Sequence, residues 1–280
     1  MMNAISSVLP TTLRMELADR KAEAIEEIHL RVGQVPCYTQ NGEERPFSLQ
    51  KPVSKEDLQF VLHAASNSSL YAFQDSLRQG FLTVHGGHRI GVCGEVVWEN
   101  GRVHSIRNFS SLCIRIAHEH KGIGQTLNRS TLILGPPGCG KTSLLRDCVR
   151  ILSDIQHSRV SLLDERGEIA ACRDGISGFD VGVRTDILTG CHKTTGIGML
   201  VRTMNPQWIA VDEITQEEDV HAMVQASYCG VRLLATAHAD SISDLRRRPV
   251  YQELLRQNIF EDFYEFQSGH KFILKRGVAI

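Results

Sequence analysis

Residues 131–150 read TLILGPPGCGKTSLLRDCVR. The run Thr131–Leu134 is short and apolar, as a strand buried on both faces tends to be, and SLLRDCVRIL after it is a good helix former. Between them, Gly135 to Thr142 spells GPPGCGKT, the spacing G-x-x-x-x-G-K-[ST]. Glycines at 135, 138 and 140 let the backbone wrap an anion, so that successive amides and the helix N-terminus point at phosphate oxygens. Lys141 is placed to reach β- and γ-phosphates, and the Thr142 hydroxyl to ligate Mg²⁺. The residues expected to hold ATP are therefore Gly135, Pro136, Pro137, Gly138, Cys139, Gly140, Lys141, Thr142 and Ser143. Strand, phosphate loop and helix in that order predict an α/β domain built on a parallel sheet.

Downstream, Val160–Leu163, Trp208–Val211 and Val231–Ala235 are further apolar runs with the length of buried strands. The segment QWIAVDEI carries Asp212 and Glu213 just after its apolar run. Magnesium bound beside a phosphate loop needs a carboxylate from the end of a neighbouring strand, and Asp212 fills that role. Glu213, one residue on, is placed to orient or deprotonate an attacking water as general base. Two other runs also end in polar groups: VSLLDERGEIA presents Asp164, Glu165, Arg166 and Glu168, and VRLLATAHA presents Thr236 and His238. Taken singly, each is as compatible with a solvated turn or a structural histidine as with a site. Phe260–Phe266 and Phe272–Leu274 read as a terminal pair of strands whose aromatics belong to the core.

Upstream the texture differs. A charged amphipathic stretch from Thr11 to Ile25 reads as helix, EEIHLRVG as a strand, and the segment through Pro36, Asn41, Gly42 and Pro46 as turn. Ser54 followed by Lys55, Glu56 and Asp57 has the form of a helix start, and Leu58, Val61, Leu62 and Ala65 share one helical face, with an end near Ser66. From Gly80 on, β-rich segments separated by glycine, with Asn100-Gly101 as a hairpin turn, predict a small antiparallel sheet. The pattern changes between residues 119 and 130. The expected organisation is an N-terminal α+β domain over 1–122 and an ATPase domain over 123–280, with the glycines at 122 and 124 as a hinge.

Composition excludes other classes. The chain has 280 residues, 42% hydrophobic, with 31 Lys+Arg against 32 Asp+Glu and a formal charge of -1. Such a chain folds, and it carries no global field for nucleic acid or an anionic membrane. The basic cluster LRRRP at 245–249 lacks interleaved aromatics and reads as a solvated helix end or subunit contact. Eight cysteines without zinc-ligand spacing read as reduced thiols of a cytosolic chain. Neither a leader segment nor about 18 consecutive apolar residues is present, so export and a membrane span are not expected.

Taken together and in order, GPPGCGKTS, LLDERGEIA, MNPQWIAVDEI and LLATAHA resemble the Walker A, Asp box, Walker B and His box of the type II/type IV secretion ATPases. The likeness, closest to a sporulation branch of that family, continues through EEIHLRVGQ, GFLTVHGGHRIGVCGEVV, DVGVRTDIL and MLVRTMNP. It implies a RecA-like core that hydrolyses ATP with Mg²⁺ in a ring, a hexamer in this family. It also implies cytoplasmic work, peripheral to membrane channel subunits of a secretion-like complex between mother cell and forespore. Carried over residue by residue, Lys141, Glu165, Glu213 and His238 are catalytic, and Thr142, Asp212 and Glu165 stand near the metal. His238 would sense the γ-phosphate. Thr215 stands where this family has Gly, and Cys191-His192-Lys193 replaces a CPK-like segment; both are expected to alter loop geometry rather than nucleotide chemistry. Arg166, Arg173, Arg184 and Arg202 are candidates for an arginine donated across a subunit boundary. A nucleotide-dependent scaffold with little hydrolysis and a nucleic-acid-acting motor are the alternatives.

Overall fold

The computed structural model describes residues 2–18, 25–66, 80–84, 86–172, 175–267 and 271–276. The chain divides into two compact units, residues 1–118 with 173–178, and residues 119–172 with 179–280.

The first unit contains helices α1 (Met2–Val8), α2 (Thr11–Ala18) and α3 (Lys55–Ser66). Its strands are β1 (Ile25–Arg31), β2 (Cys37–Gln40), β3 (Glu43–Pro46), β4 (Phe81–Val84), β5 (His88–Glu99) and β6 (Arg102–Arg115). They form one antiparallel sheet in the order β3-β2-β1-β6-β5-β4. Alternate residues Ile28, Leu30, Tyr38, Ile90, Val92, Leu112 and Ile114 share one face and are buried with Leu58, Val61, Leu62 and Ala65 of α3. Each such aliphatic side chain removed from water stabilises the unit by about 1.5–3 kcal/mol. Helix α3 starts as expected: Ser54 Oγ accepts from the Asp57 amide at 3.1 Å while Asp57 Oδ2 accepts from the Ser54 amide at 2.9 Å. Asn100 and Gly101 both take positive φ, 50° and 74°, at the β5–β6 turn.

Two expectations are corrected here. The helix read from Thr11 to Ile25 is described only to Ala18, residues 19–24 lie outside the described residues, and Ile25 already belongs to β1, buried and paired with Gln40. The segment read as turn holds the hairpin β2–β3. Its strands are mostly polar, with β3 exposed at the sheet edge, so no apolar alternation marks them.

The second unit carries β7 (Thr131–Leu134), α4 (Lys141–Asp154), β8 (Val160–Asp164), β9 (Thr185–Thr189), α5 (Lys193–Met204) and β10 (Trp208–Val211). It continues with α6 (Glu217–Tyr228), β11 (Arg232–Ala237), α7 (Ile242–Leu245), α8 (Pro249–Arg256), β12 (Asp262–Gln267) and β13 (Lys271–Arg276). The sheet order is β13-β12-β7-β11-β10-β8-β9, parallel throughout except for β13. Both faces are covered. Ile209, Val211, Leu233 and Ala235 pack with residues of α5, α6 and α8, whereas Trp208, Ala210 and Leu234 pack with Leu144, Leu145, Cys148 and Leu152 of α4. Residue by residue, the central strands thus feed opposite cores, which explains their unbroken apolar runs. Tyr264 and Phe266 of the terminal pair are core, as expected.

Gly124, one of the two glycines expected to form a hinge, is bonded within the second unit. The Gly124 amide donates to Asp147 Oδ2 at 2.7 Å, and Leu127 exchanges two bonds with the Gln156 side chain at 2.8 and 2.7 Å. A Cβ on Gly124 would stand 2.8 Å from the Asp147 carbonyl carbon and the Cys148 nitrogen, so glycine is needed there for close approach to α4.

Candidate functional site

The phosphate loop runs from the end of β7 into α4. Gly138 and Gly140 have φ of 74° and 105°, and Gly140, as N-cap of α4, supplies no side-chain cap to the first turn. At Gly135 the constraint is space: a Cβ would come 2.5 Å from Cys139 Sγ and 2.9 Å from Phe266 Cβ. Lys141 is 6% exposed, and its ammonium donates to the carbonyls of Gly135 and Pro136, both at 2.8 Å. Burial holds its pKa below the ordinary lysine value, against the nearby carboxylates of Glu213 and Asp212, which act to raise it.

Strand order decides what meets this lysine. The expectation of an acid on a strand next to β7 is corrected: β11 lies between β7 and β10, pairing with both in parallel. His238, just past β11, therefore stands between the loop and the Walker B acids. Its Nδ1 is 3.0 Å from Lys141 Nζ and its Nε2 is 3.1 Å from Glu213 Oε2. An ammonium has only protons to give, so Nδ1 is the acceptor and the proton sits on Nε2, facing Glu213. Lys141, His238 and Glu213 form one hydrogen-bonded chain. Asp212 accepts the Thr236 hydroxyl on Oδ1 at 2.9 Å, which orients its carboxylate from the same intervening strand.

The Asp box divides into two roles. Asp164, buried at the end of β8, accepts three backbone amides, from Glu168 at 2.9 Å, Ile169 at 3.1 Å and Ala170 at 2.8 Å. Burial nevertheless raises its pKa above the usual aspartate value. Arg146 of α4 donates to the carbonyls of Ile169 and Glu168 and lies over the Phe179 ring, so Asp164 and Arg146 together fix the loop after β8. Glu165 points elsewhere. Lys193 Nζ reaches its Oε2 at 2.6 Å and His192 Nδ1 its Oε1 at 2.8 Å. Burial acts to raise the Glu165 pKa, but the bonds from Lys193 and His192 outweigh it and the value is lowered.

Beyond the loop geometry expected of Cys191-His192-Lys193, two of its three side chains hold Glu165. Lys193 is nearly buried at the start of α5, and a lysine so placed needs an anion, but no sequence signal marks that burial. Thr215 also has a defined role. Its amide and hydroxyl donate to Asp219 Oδ2 at 3.1 and 3.3 Å, within the capping box of α6.

Of the arginine candidates, Arg166 is 66% exposed with NH1 3.9 Å from Glu213 Oε2. Arg184 donates its amide to Ser153 Oγ at 2.7 Å, Arg202 is exposed in the last turn of α5, and Arg173 lies outside the described residues. Arg246, Arg247 and Arg248 of the basic cluster are exposed, with Arg248 paired to Asp244 at 2.9 Å.

The family model for sporulation stage III, protein AA, matches residues 2–272. The chain belongs to this family. Stage III sporulation protein AA of Bacillus subtilis strain 168 is 36% identical over 283 aligned residues, covering 96% of this chain and 92% of that protein. Among solved structures, the pilus retraction motor PilT with bound ADP covers 93% of the chain and 80% of its own, at a TM-score of 0.63 and 16% identity. The Legionella pneumophila ATPase DotB covers 96% and 80%, at a TM-score of 0.60 and 12% identity. This sporulation stage III, protein AA, family member thus shares the fold of these two proteins, an α/β core with a smaller N-terminal α+β part. Among the described residues of this family member, no helix is long and apolar enough to cross a membrane.

Proposed function

We propose that this chain is a Mg²⁺-dependent ATPase that works as a homo-oligomeric ring, six subunits in number, peripheral to the membrane channel subunits of a sporulation secretion complex on its mother-cell, cytoplasmic side. The observation that carries the proposal is the chain Lys141–His238–Glu213 at the carboxyl ends of β7, β11 and β10, with Asp212 beside it. Parallel α/β sheets place ligands at that edge.

The residues fit a magnesium nucleotide. The loop's left-handed glycines and the crowding at Gly135 shape a backbone cradle for phosphates, and Thr142 and Asp212 are hard oxygen donors of the kind Mg²⁺ takes. Bound there, ATP supplies the phosphoryl group that passes to water. Pro136, Pro137, Gly138, Cys139, Gly140 and Ser143 line the cradle, and Lys141 leaves its two carbonyl partners to pair with phosphate oxygens. Glu213 takes the proton of the attacking water, and His238 links the position of Lys141 to that of Glu213. Glu165, which the family resemblance assigns to the metal's surroundings, is held here by Lys193 and His192.

Steady-state ATP hydrolysis across protein concentration tests this. Turnover should rise more steeply than protein concentration and vanish in Lys141→Ala and Glu213→Gln. Wild-type protein that never turns over while Glu213→Gln binds ATP equally well would overturn it.

One observation favours a second reading, a nucleotide-dependent scaffold. Lys141 and Glu213 already satisfy each other through His238, a resting arrangement that needs no turnover to be stable. Ring assembly that requires ATP and is untouched by Glu213→Gln would select it.

A further inference from the structure

The sheet of the first unit has a second face that the core does not use. On it, β1 His29 stands in register with Cys113 of β6 on one side and Cys37 of β2 on the other. Glu27, two residues before His29, shares that face, because strand side chains alternate. The intervening Ile28 and the flanking Leu30 point into the core.

This register brings a carboxylate, an imidazole and a thiol together. Glu27, His29 and Cys113 each present a ligand atom within 4.8 Å of the other two, and all three side chains are half-buried. Glu27 Oε2 lies 3.2 Å from His29 Nε2, with side-chain exposures of 27% and 17%. Two ligands bound about 2.0 Å from a tetrahedral ion lie roughly 3.3 Å apart, so this pair already stands at coordination spacing. Arg115 Nε fixes the other oxygen, Glu27 Oε1, at 3.0 Å, leaving Oε2 turned toward the histidine. Such an outer partner orients a ligating carboxylate without competing for the same oxygen. Cys37 is distinguished from Cys113 by its direction: its thiol donates to the Val35 carbonyl at 3.4 Å. These residues belong to the first unit, whereas the phosphate loop, Asp212 and Glu213 belong to the second.

We propose that Glu27, His29 and Cys113 form a Zn²⁺ site on the open face of the N-terminal sheet. The ligand set selects the metal. Thiolate and imidazole suit zinc and disfavour magnesium and calcium, which take oxygen donors. Three protein ligands leave one tetrahedral position, which water fills. On binding, the Cys113 thiol releases its proton to solvent and its thiolate bonds the ion.

The test uses the full-length, tag-free protein after treatment with chelator. Zn²⁺ is titrated in competition with a chromophoric chelator, and Co²⁺ is added separately as a spectroscopic substitute. The expected result is a single equivalent of Zn²⁺ per chain and a thiolate-to-cobalt charge-transfer band in the near ultraviolet. Cys113→Ser removes the band, His29→Gln lowers Zn²⁺ affinity by at least about tenfold, and Cys37→Ser leaves both unchanged. Circular dichroism establishes that each variant is folded, and His29→Gln carries the test should Cys113→Ser not be. Absence of stoichiometric Zn²⁺ binding by the wild type would overturn the site. So would a band that survives Cys113→Ser or is lost in Cys37→Ser, or an affinity unmoved by His29→Gln.

Discussion

Gly135→Ala separates the two reasons a phosphate loop can have for its first glycine. Gly135 does not need a left-handed backbone, but an added Cβ would meet Cys139 Sγ at 2.5 Å and Phe266 Cβ at 2.9 Å. Real Cβ atoms do not approach that closely, so the loop must move away from β12. Overpacking of this kind costs about 1–3 kcal/mol, and the stiffer unfolded chain of alanine returns about 0.4–1 kcal/mol. The net expected loss is roughly 1–2 kcal/mol, which at a slope near 2 kcal/mol/M lowers the urea midpoint by about 0.5–1 M. Trp208, 1% exposed, lies in the core of this unit, while Trp98, 66% exposed, belongs to the other. Fluorescence-detected urea unfolding in a Trp98→Phe background therefore reports the second unit alone. Cys139→Ala removes the nearer obstacle, so a double-mutant cycle should show a favourable coupling of about 1 kcal/mol between the two substitutions. A Gly135→Ala protein as stable as its parent, or strictly additive effects with Cys139→Ala, would refute the steric account of this glycine.

Lys141→Ala should abolish nucleotide binding, whereas Glu213→Gln should keep it and lose about 10²–10⁴-fold in turnover, as measured by fluorescent-nucleotide titration and phosphate release. Lys193→Met leaves Glu165 with His192 alone and should cost about 1–2 kcal/mol at neutral pH, below the 3–5 typical of broken buried pairs because Glu165 keeps some water. Because the Glu165 pKa is lowered in the fold, its stabilisation is full above its ordinary value of 4.5 and is lost as pH falls through the folded value. The stability gap between wild type and Lys193→Met should accordingly close on acidification, read by urea unfolding at a series of pH values. Asp164→Asn exchanges one acceptor for a donor facing backbone amides and should cost about 1–3 kcal/mol, with faster hydrogen exchange at residues 168–170.

The sequence by itself determined the features that depend on contiguous residues. Strand, glycine loop and helix over residues 131–150 are legible because phosphate binding needs a local backbone shape, and that shape is written in neighbouring residues. The strands β7, β8, β10 and β11 are legible because burial on both faces demands uninterrupted apolar side chains. Leu58, Val61, Leu62 and Ala65 of α3 follow from helical spacing alone. Where burial is one-sided and the strand lies at an edge, that signal fades. β9 (Thr185–Thr189) and the hairpin β2–β3 were therefore hidden, and only pairing with an already formed sheet makes them strands. Tertiary structure alone decided the site's wiring. Nothing local requires β11 to stand between β7 and β10, yet that order sets His238 against both Lys141, 97 residues away, and Glu213. In the same way Lys193 meets Glu165 across 28 residues, and Cys113 meets His29 only because β6 pairs with β1. Side-chain chemistry is fixed residue by residue, but which charges face one another depends on strand order and register, and those are settled by how whole faces bury their apolar surface.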